Sequence, residues 1–423
     1  MPDSNPRCNH MSASSIAAFK SCPRKFQLAY REGLRPVEDT EALRMGTNWH
    51  ALHEVYRNAL VGLDHADIGG DDQKGELAMQ AVLDHLNVAY TEKPASKTSV
   101  EWDLERQILL TCFVGYLWYY QEDPIEYLHQ ELKFRLPLYF PRTGLPLSSD
   151  EVLRTGKIDH VIRWHGMVGT IERKSTTRSI EPGGPFWERS QKDTQVSMYA
   201  LALRDLPRYP HATDPKVFSL SPDGGGLIDA NDTFGNTLYD VWRRPTIGPA
   251  TLSQKDTAEF IESGTYKDAE FEVAVMWAGK PGEGEPLVKV DGETVLEVKV
   301  GAKAGTFAIR ETVGMFSARL LNDIYERPDH YFQRKEIART DKDLRAFQTS
   351  LFNIYQSQKH MAQTNTFFEN ENQCRATFPC PYIPICYSAG ADSVIGTGVT
   401  PPGFRRIFQD LTVEGQSVVA GEE

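Results

Sequence analysis

The chain has 423 residues, 40% of them hydrophobic and 25% charged, which is enough to bury more than one core. Its net charge of −12 argues against non-specific adhesion to nucleic acid, because phosphate binding needs cationic side chains. The same net charge still allows nucleic acid to bind in a single basic groove. No apolar run approaches the roughly 18 residues of a membrane span, and the polar start lacks a signal core, so we expect an intracellular protein with no membrane partner.

Helical patterns dominate the first third of the chain. Residues 1–35 are predicted to form a loose leader and then an N-terminal helix, because serines suited to capping precede apolar residues at helical spacing. Residues 36–130 are predicted to be a helical region, beginning with an amphipathic pattern from Glu41.

The pattern changes to period two near residue 131. Alternation of apolar and polar residues predicts strands in HQELKFRLPLYF and GKIDHVIRW, and a turn at Gly166 joins the second of these to GMVGTIERKS. A helical pattern follows in DTQVSMYALALRDL. Residues 131–210 are therefore predicted to form a compact mixed α/β unit.

The second half of the chain has less regular patterns. Residues 211–310 are rich in Gly and Pro between short strand-like runs such as LYDVWRRPTI, so they are predicted to be an inserted, mostly β region. Residues 311–390 are predicted to contain helices followed by a segment with three cysteines. Residues 391–423 are predicted to be a flexible tail.

The predicted hairpin carries two acids and a lysine. Asp159 lies on its first strand, and Glu172 and Lys174 share one side of its second strand. Two carboxylates can bind a hard divalent cation, which stabilises charge on a phosphodiester and activates a bound water, while a lysine orients that water. The simpler alternative is an exposed strand on which Glu-x-Lys is only an ion pair.

Three further residues are candidates for the same site as the two acids and the lysine. His50 lies in GTNWHALHE, where an imidazole ligand could project from a helix, although a structural or surface histidine is the alternative. Gln195 and Tyr199 are four residues apart and share one face of the helix after the hairpin, a spacing that packing alone also produces.

In this order the segments resemble the PD-(D/E)xK nuclease superfamily, and more narrowly its RecB-like branch, which includes CRISPR-associated iron–sulphur exonucleases and AddB-type helicase–nucleases. The matching pieces are an opening helix with a cysteine, a G-x-x-x-H helix, the aspartate motif in GKIDHVIRW, the E-x-K motif in GTIERKSTT and the Q-x-x-x-Y motif in QVSMY. The resemblance implies a restriction-endonuclease-like α/β core, a mixed central sheet flanked by helices. It also implies a helical N-terminal region, a mostly β insertion and closure by an iron–sulphur cluster.

The resemblance implies a metal site in this core. His50, Asp159 and Glu172 would bind Mg²⁺ or Mn²⁺, joined by the main-chain carbonyl of Arg173, and a histidine ligand suits manganese as well as magnesium. Glu131, on the preceding strand, is expected to support these ligands from a second layer.

Catalytic roles follow from the same resemblance. Lys174 would activate the water, and Gln195 and Tyr199 would position the DNA backbone or the lysine, beside Asp159 and Glu172 at the metal.

The cysteines fit the iron–sulphur members of this branch, in which one cysteine before the core joins three after it around a 4Fe–4S cluster. The four that match are Cys22, Cys374, Cys380 and Cys386. Zinc and unliganded thiols are the alternatives, although the usual C-x₂-C knuckles of zinc sites are absent from this chain. Of the other two cysteines, Cys112 is expected in a core and Cys8 free in the leader.

The resemblance thus implies a divalent-metal-dependent DNA nuclease, an exonuclease acting on DNA ends or single strands in recombination, repair or DNA processing. The alternative is a catalytically inactive DNA-binding or assembly protein that keeps the fold. A zinc enzyme using His50 and His53 is a weaker alternative, because the H-E-x-x-H order is not met. A helicase or recombination partner, action in a cytoplasm and a phage or mobile-element origin are expected from the resemblance alone.

Overall fold

The computed structural model describes residues 10–65, 70–208, 218–220, 228, 232–280, 282–376, 378–388 and 394–407. The predictions for Cys8 and for most of the leader lie outside the described residues. Within those ranges, no helix is both long enough and apolar enough to cross a membrane.

The N-terminal third is helical, as the periodicity indicates. The first helix is capped reciprocally by the side chains and main-chain amides of Ser12 and Ser15, which confirms the predicted capping serines. The elements are β1 (His10–Met11), α1 (Ala13–Ser21), α2 (Pro23–Phe26), β2 (Leu34–Pro36), α3 (Glu41–His65), α4 (Asp71–Ala89) and α5 (Ser99–Tyr119), with a π-helical turn at Gln27–Arg31 between α2 and β2.

The middle of the chain supplies most of the central sheet. Its elements are β3 (Glu126–Pro137), β4 (Leu153–Trp164), β5 (Met167–Thr176), α6 (Pro185–Ser190), α7 (Thr194–Asp205), β6 (Phe218–Leu220) and β7 (Phe234–Arg243), with a 3₁₀ turn at Leu206–Arg208. The predicted hairpin is confirmed, since β4 and β5 are antiparallel and meet at a turn where Gly166 has a φ of 74°.

The remaining elements form a small β-rich unit and the C-terminal helices. They are α8 (Gln254–Ser263), β8 (Thr265–Tyr266), β9 (Ala269–Glu270), β10 (Val273–Met276), β11 (Leu287–Val290), β12 (Glu293–Thr294), β13 (Val298–Val300), β14 (Phe307–Ile309), α9 (Val313–Glu326), α10 (Pro328–Tyr331), β15 (Phe332–Ile337), α11 (Asp341–Gln363), α12 (Ile383–Cys386) and β16 (Phe404–Arg406), with a 3₁₀ turn at Glu371–Gln373.

Seven of the described strands form a mixed sheet in the order β15-β7-β5-β4-β3-β6, with β1 also paired to β4. β5 and β7 are parallel, and the other neighbours along that order are antiparallel. One core cluster joins β3 and β4 to α7 and α11, and a second joins α3, α4, α5 and α9 to the end of β7. Helices therefore cover the sheet, which confirms the predicted mixed α/β architecture.

The sheet extends beyond the predicted 131–210 core. β7 lies between β5 and β15, although its sequence was assigned to the inserted region. Leu238, Tyr239, Val241 and Trp242 are each at most 4% exposed, so both faces of β7 are covered and it lacks the alternation of a half-exposed strand. The inserted unit is therefore smaller, and it has its own core around Phe260, Val290 and Ile309.

Part of the predicted tail is also structured. Residues 394–407 are described, and β16 pairs antiparallel with β2 near the start of the chain. Arg406 Nη1 donates to the Glu32 main-chain oxygen at 2.6 Å, and Val394 packs in the same cluster as Leu34. This segment differs from the expected flexible tail because its few apolar side chains are covered by the N-terminal segment.

Candidate active site

The site forms where two strands separate. The register of β4 and β5 runs from Trp164 opposite Met167 to His160 opposite Ile171, and ends there. Farther along, β4 stays paired with β3, and β5 stays paired with β7. Asp159 and Glu172 are the next residues past the last pair, so they stand at the mouth of the gap between the strands.

Local irregularities of the strands coincide with this gap. Ile158 and Val161 are three residues apart and both belong to one core cluster, so strand alternation shifts by one residue across Asp159 and His160. On the neighbouring strand, Glu131 has a φ of 56°, which non-glycine residues seldom adopt. The Glu131 carboxylate forms an ion pair with Lys157, beside the candidate metal ligands.

Helix α3 brings His50 to the same place. His50 Nδ1 lies 2.9 Å from Asp159 Oδ2. The helix passes close to β5 at Gly46, where an added Cβ would lie 3.3 Å from Ser175 Oγ, so a small residue allows this approach. The predicted helical ligand and the predicted strand carboxylate are therefore adjacent in the fold.

The two carboxylates have different proton affinities. Burial alone would raise the pKa of Asp159, but His50, and then His160 and Arg173, lower that pKa below its ordinary value. Burial raises the pKa of Glu172 to about 7, a rise that the Lys174 ammonium opposes and the Asp159 charge increases. Asp159 is therefore ionised at neutral pH, whereas Glu172 is close to its midpoint.

Glu172 is 1% exposed, and its Oε1 lies 2.6 Å from Lys174 Nζ. Among the described residues, neither Glu172 oxygen nor Asp159 Oδ2 accepts a well-directed hydrogen bond. Buried carboxylate oxygens with unused lone pairs suit a divalent cation, which takes oxygen ligands. The donor chemistry therefore fits Mg²⁺ or Mn²⁺.

The candidate ligands do not surround a common point. No group of three or more His, Cys, Asp or Glu side chains in the described part of the chain is arranged to hold a metal ion. Because His50 and Lys174 each pair directly with a carboxylate, binding a cation would require these contacts to rearrange.

A chain of hydrogen bonds orients the lysine. Lys174 Nζ donates to Gln195 Oε1 at 2.7 Å, and Gln195 Nε2 donates to the Tyr199 hydroxyl at 3.2 Å. The Asp193 carboxylate caps α7 by accepting from the Gln195 main-chain N–H at 2.7 Å, and it also accepts from the Tyr239 hydroxyl at 2.6 Å. The helix start therefore fixes Gln195, which in turn fixes the ammonium beside Glu172.

A model of the PD-(D/E)XK nuclease superfamily matches residues 10–387, which include the central sheet and every candidate residue named above. The chain belongs to the PD-(D/E)XK nuclease superfamily. Neither the curated proteins nor the solved structures compared with the chain give a significant match. Members of the PD-(D/E)XK superfamily are typically nucleases that use divalent metals such as Mg²⁺ or Mn²⁺.

Glu54 is a further carboxylate beside these residues of the PD-(D/E)XK protein, and the sequence motifs did not indicate it. It lies one helical turn after His50 on α3, and burial raises its pKa, with contributions from Glu131 and Asp159. Its spacing of four residues from His50 was the available signal. A fourth carboxylate therefore lies close to the candidate ligands.

His53 does not join His50 in a zinc pair. It is 4% exposed, and its ring packs edge-on against Trp49, Phe113 and Tyr116. Burial, and then the nearby Arg173, lower its pKa well below the ordinary value. The two histidines therefore have separate environments, which argues against the weaker zinc alternative.

A buried ionic network lies behind the site. Arg173, 2% exposed, donates from Nη1 to His160 Nδ1 at 2.8 Å and from Nη2 to the Tyr127 hydroxyl at 3.3 Å. Its Nε lies 3.8 Å from Asp240 Oδ2, which also lies 3.3 Å from Arg334 Nη2. The sequence motifs indicate a role only for the main chain of Arg173 and none for Asp240 and Arg334, because the partners of these side chains are distant in sequence.

The four matching cysteines come from both ends of the superfamily domain. Cys22 Sγ accepts from the Asn370 amide at 3.4 Å, and the Cys380 amide donates to the Cys374 carbonyl at 2.9 Å. Burial raises the pKa of Cys380, and Cys22 and Cys374 contribute to the rise. Burial likewise raises the pKa of Cys386 to about 11, with smaller contributions from Glu369, Cys380 and Cys22. The four thiols therefore share one neighbourhood.

None of these four is in a disulfide with another described cysteine. They do not form a ready metal-binding group within the described residues. The prediction for Cys112 is confirmed, since it is fully buried in the cluster of α3, α5 and α9.

Proposed function

We propose that this member of the PD-(D/E)XK superfamily is a divalent-metal-dependent DNA exonuclease of the RecB-like branch. It would act on DNA ends or single strands in recombination, repair or DNA processing. The observation that carries this proposal is the position of Asp159 and Glu172 at the gap between β4 and β5, with buried oxygens that lack directed hydrogen bonds and Lys174 beside them.

The side chains suit distinct roles in phosphodiester hydrolysis. Asp159, Glu172 and His50 would hold the cation, and the Arg173 carbonyl would complete the protein ligands. When bound, the cation would stabilise charge on the phosphate and lower the pKa of a water.

Lys174 would orient the attacking water and accept its proton through Nζ once that amine is neutral. In the metal-free protein, burial lowers the pKa of Lys174, but Glu172 and Asp193 outweigh burial and raise it. A cation that engages Glu172 would reduce this charge pairing. Gln195 would keep Nζ directed at the water while Glu172 is engaged elsewhere.

The exonuclease mode is supported by the motifs of the RecB-like branch, which occur in this chain in the order expected for that branch. Linear single strands and duplexes labelled at the 5′ or the 3′ end, incubated with Mg²⁺ or Mn²⁺, would test it. We expect stepwise loss of nucleotides from linear DNA and no cleavage of circular single strands. Rapid cutting of circles would contradict the exonuclease mode and leave the nuclease assignment intact.

The alternative remains an inactive DNA-binding or assembly protein with this fold. The alternative does not account for the retained Lys174–Gln195–Tyr199 hydrogen bonds beside two buried carboxylates. Folded protein that binds DNA but degrades none with either metal would favour the alternative.

The cysteine group supports a second part of the proposal, a structural 4Fe–4S cluster. The members are Cys22, Cys374, Cys380 and Cys386. These thiols influence one another's pKa values, and Asn370 contacts Ser21 and Cys22 at the end of α1. Both observations support one cluster bound by all four cysteines. Four thiolates are what such a cluster needs, and its binding would tie the two ends of the domain together.

Protein purified without oxygen tests the cluster. We expect brown protein with about four iron atoms and about four sulphides per chain. Colourless, stable protein that contains one zinc ion would overturn the cluster in favour of the zinc alternative.

A further inference from the structure

The contact between Arg173 and His160 crosses the two strands where their main-chain pairing ends. Arg173 lies between Glu172 and Lys174 on β5, and His160 follows Asp159 on β4. Arg173 Nη1 donates to His160 Nδ1 at 2.8 Å. A guanidinium has only donors, so Nδ1 of His160 is the acceptor and the ring proton is assigned to Nε2.

Arg173 also contacts residues of two further strands. Its guanidinium reaches Tyr127 on β3 and Asp240 on β7, in addition to His160 on β4. Arg173 and His160 are 2% and 3% exposed, so water does not compete effectively for these contacts. One side chain of β5 therefore links three other strands of the sheet behind the gap.

We infer that Arg173 and His160 are positioning residues, a clamp that sets the separation of Asp159 and Glu172 and thereby the affinity of the site for a divalent cation. Past His160 and Ile171 the two strands share no ladder pair, so the Arg173–His160 contact is a direct side-chain link between them at that point. The clamp also fixes the main chain of Arg173, whose carbonyl is a candidate ligand. This inference rests on the proposed function, because it requires a cation at the site.

Two substitutions of His160 distinguish the effect of losing the hydrogen bond to Arg173 from the effect of changed packing. His160→Leu removes the acceptor and keeps an apolar side chain, whereas His160→Asn keeps an oxygen close to the position of Nδ1. Titration of the protein with Mn²⁺ alone, without DNA, measures the affinity. We expect His160→Leu to bind Mn²⁺ about ten- to a hundredfold more weakly, the usual effect of losing a group that orients metal ligands, and His160→Asn to recover most of the loss.

Cleavage kinetics give a second readout. In His160→Leu, the Mn²⁺ concentration for half-maximal cleavage should rise by about the same factor as the dissociation constant, while the rate at saturating Mn²⁺ should fall much less. A variant that lost only global stability would not show this split.

The matched control is Arg154→Met, on the same strand. Arg154 is fully buried, pairs with Asp205 at 2.6 Å and lies five residues from Asp159 along β4. Its loss should lower the thermal unfolding midpoint and leave the Mn²⁺ affinity of the folded protein unchanged. If His160→Leu does not fold, Arg173→Lys decides by the same titration, because it keeps a charge for Asp240 but loses the forked donors.

The possible outcomes distinguish failure of the clamp from failure of the proposed nuclease function. Wild-type protein that binds Mn²⁺ and cleaves DNA, with unchanged Mn²⁺ affinity in folded His160→Leu, would overturn the clamp alone. Wild-type protein that neither binds Mn²⁺ nor cleaves DNA would overturn the proposed function and the clamp together.

Discussion

His50 Nδ1 lies 2.9 Å from Asp159 Oδ2, so this contact joins helix α3 to strand β4 at the candidate metal site. A cation that takes Asp159 Oδ2 and His50 Nδ1 as ligands would replace this contact, because the metal-bound nitrogen directs its lone pair at the metal. Imidazole is a better ligand for Mn²⁺ than for Mg²⁺, which prefers oxygen. His50 is therefore expected to influence which metal the enzyme uses.

Substitution of His50 by Asn should weaken activation by Mn²⁺ on the order of tenfold and weaken activation by Mg²⁺ by less. The measurement is the half-saturating concentration of each metal in a DNA cleavage assay. The exposed His360 on α11 offers a control, since His360→Asn should change neither value. Equal losses for the two metals would contradict a direct ligand role for His50.

The raised pKa of Glu172 predicts a pH dependence of stability without metal. The folded protein holds the Glu172 proton up to about pH 7, whereas the unfolded chain releases it near pH 4.5. This contribution is fully present below pH 4.5 and is lost as the pH rises through about 7. Relative to Glu172→Gln, wild type should lose roughly 3 kcal/mol of unfolding free energy over this range.

Urea denaturation of both proteins in chelator at several pH values would measure this difference. Stability curves that stay parallel from pH 4.5 to pH 8 would contradict a proton held by Glu172. Saturating Mg²⁺ should remove most of the difference, because the cation takes the place of the proton.

Gln195 is predicted to matter more than Tyr199. Gln195→Leu removes the acceptor that holds Lys174 Nζ, so it should slow cleavage about ten- to a hundredfold. Tyr199→Phe removes a partner of Gln195 at 3.2 Å and leaves the contact with Lys174 in place, so a few-fold loss is expected. Single-turnover rates at saturating metal measure both effects. A larger loss from Tyr199→Phe would instead favour a direct contact of Tyr199 with DNA.

The local patterns were sufficient to predict the hairpin and the helix that follows it. Asp159 lies on a strand with a period-two pattern, and Glu172 and Lys174 lie on the strand that the Gly166 turn joins to it. Gln195 and Tyr199 lie on a helix whose start is marked by Asp193. These features depend on neighbours in sequence. The side-chain spacings of two and four residues therefore translate directly into shared faces.

Non-local partners explain what the sequence did not reveal. β7 was placed in the insertion because burial on both faces removes its alternation. β15 has the polar sequence FQRKEI and is an edge strand of the sheet, where Arg334 is held by Asp123 and Asp240. Such pairings between residues distant in sequence are not encoded in any local period.

The cluster hypothesis predicts that loss of a cysteine ligand lowers the stability of the protein more than its cleavage rate. Cys380→Ser should lower the thermal unfolding midpoint markedly and reduce bound iron, because one of four ligands is lost. The cleavage rate of the fraction that stays folded should change far less. Cys112→Ser, in a buried apolar cluster, should destabilise the protein without loss of iron. A normal unfolding midpoint in Cys380→Ser would contradict a structural clamp by the cluster.

The proposed nuclease activity requires one metal-dependent centre formed by Asp159, Glu172 and Lys174. The sharpest test is Lys174→Met, with Lys255→Met as control because Lys255 is exposed and, among the described residues, forms an ion pair with Glu259 on the same helix. The decisive measurement is the rate of degradation of end-labelled single-stranded DNA at saturating Mn²⁺. We expect wild type and Lys255→Met to degrade it equally and Lys174→Met to be slower on the order of a thousandfold while still binding Mn²⁺. Degradation by Lys174→Met at the wild-type rate would contradict the account.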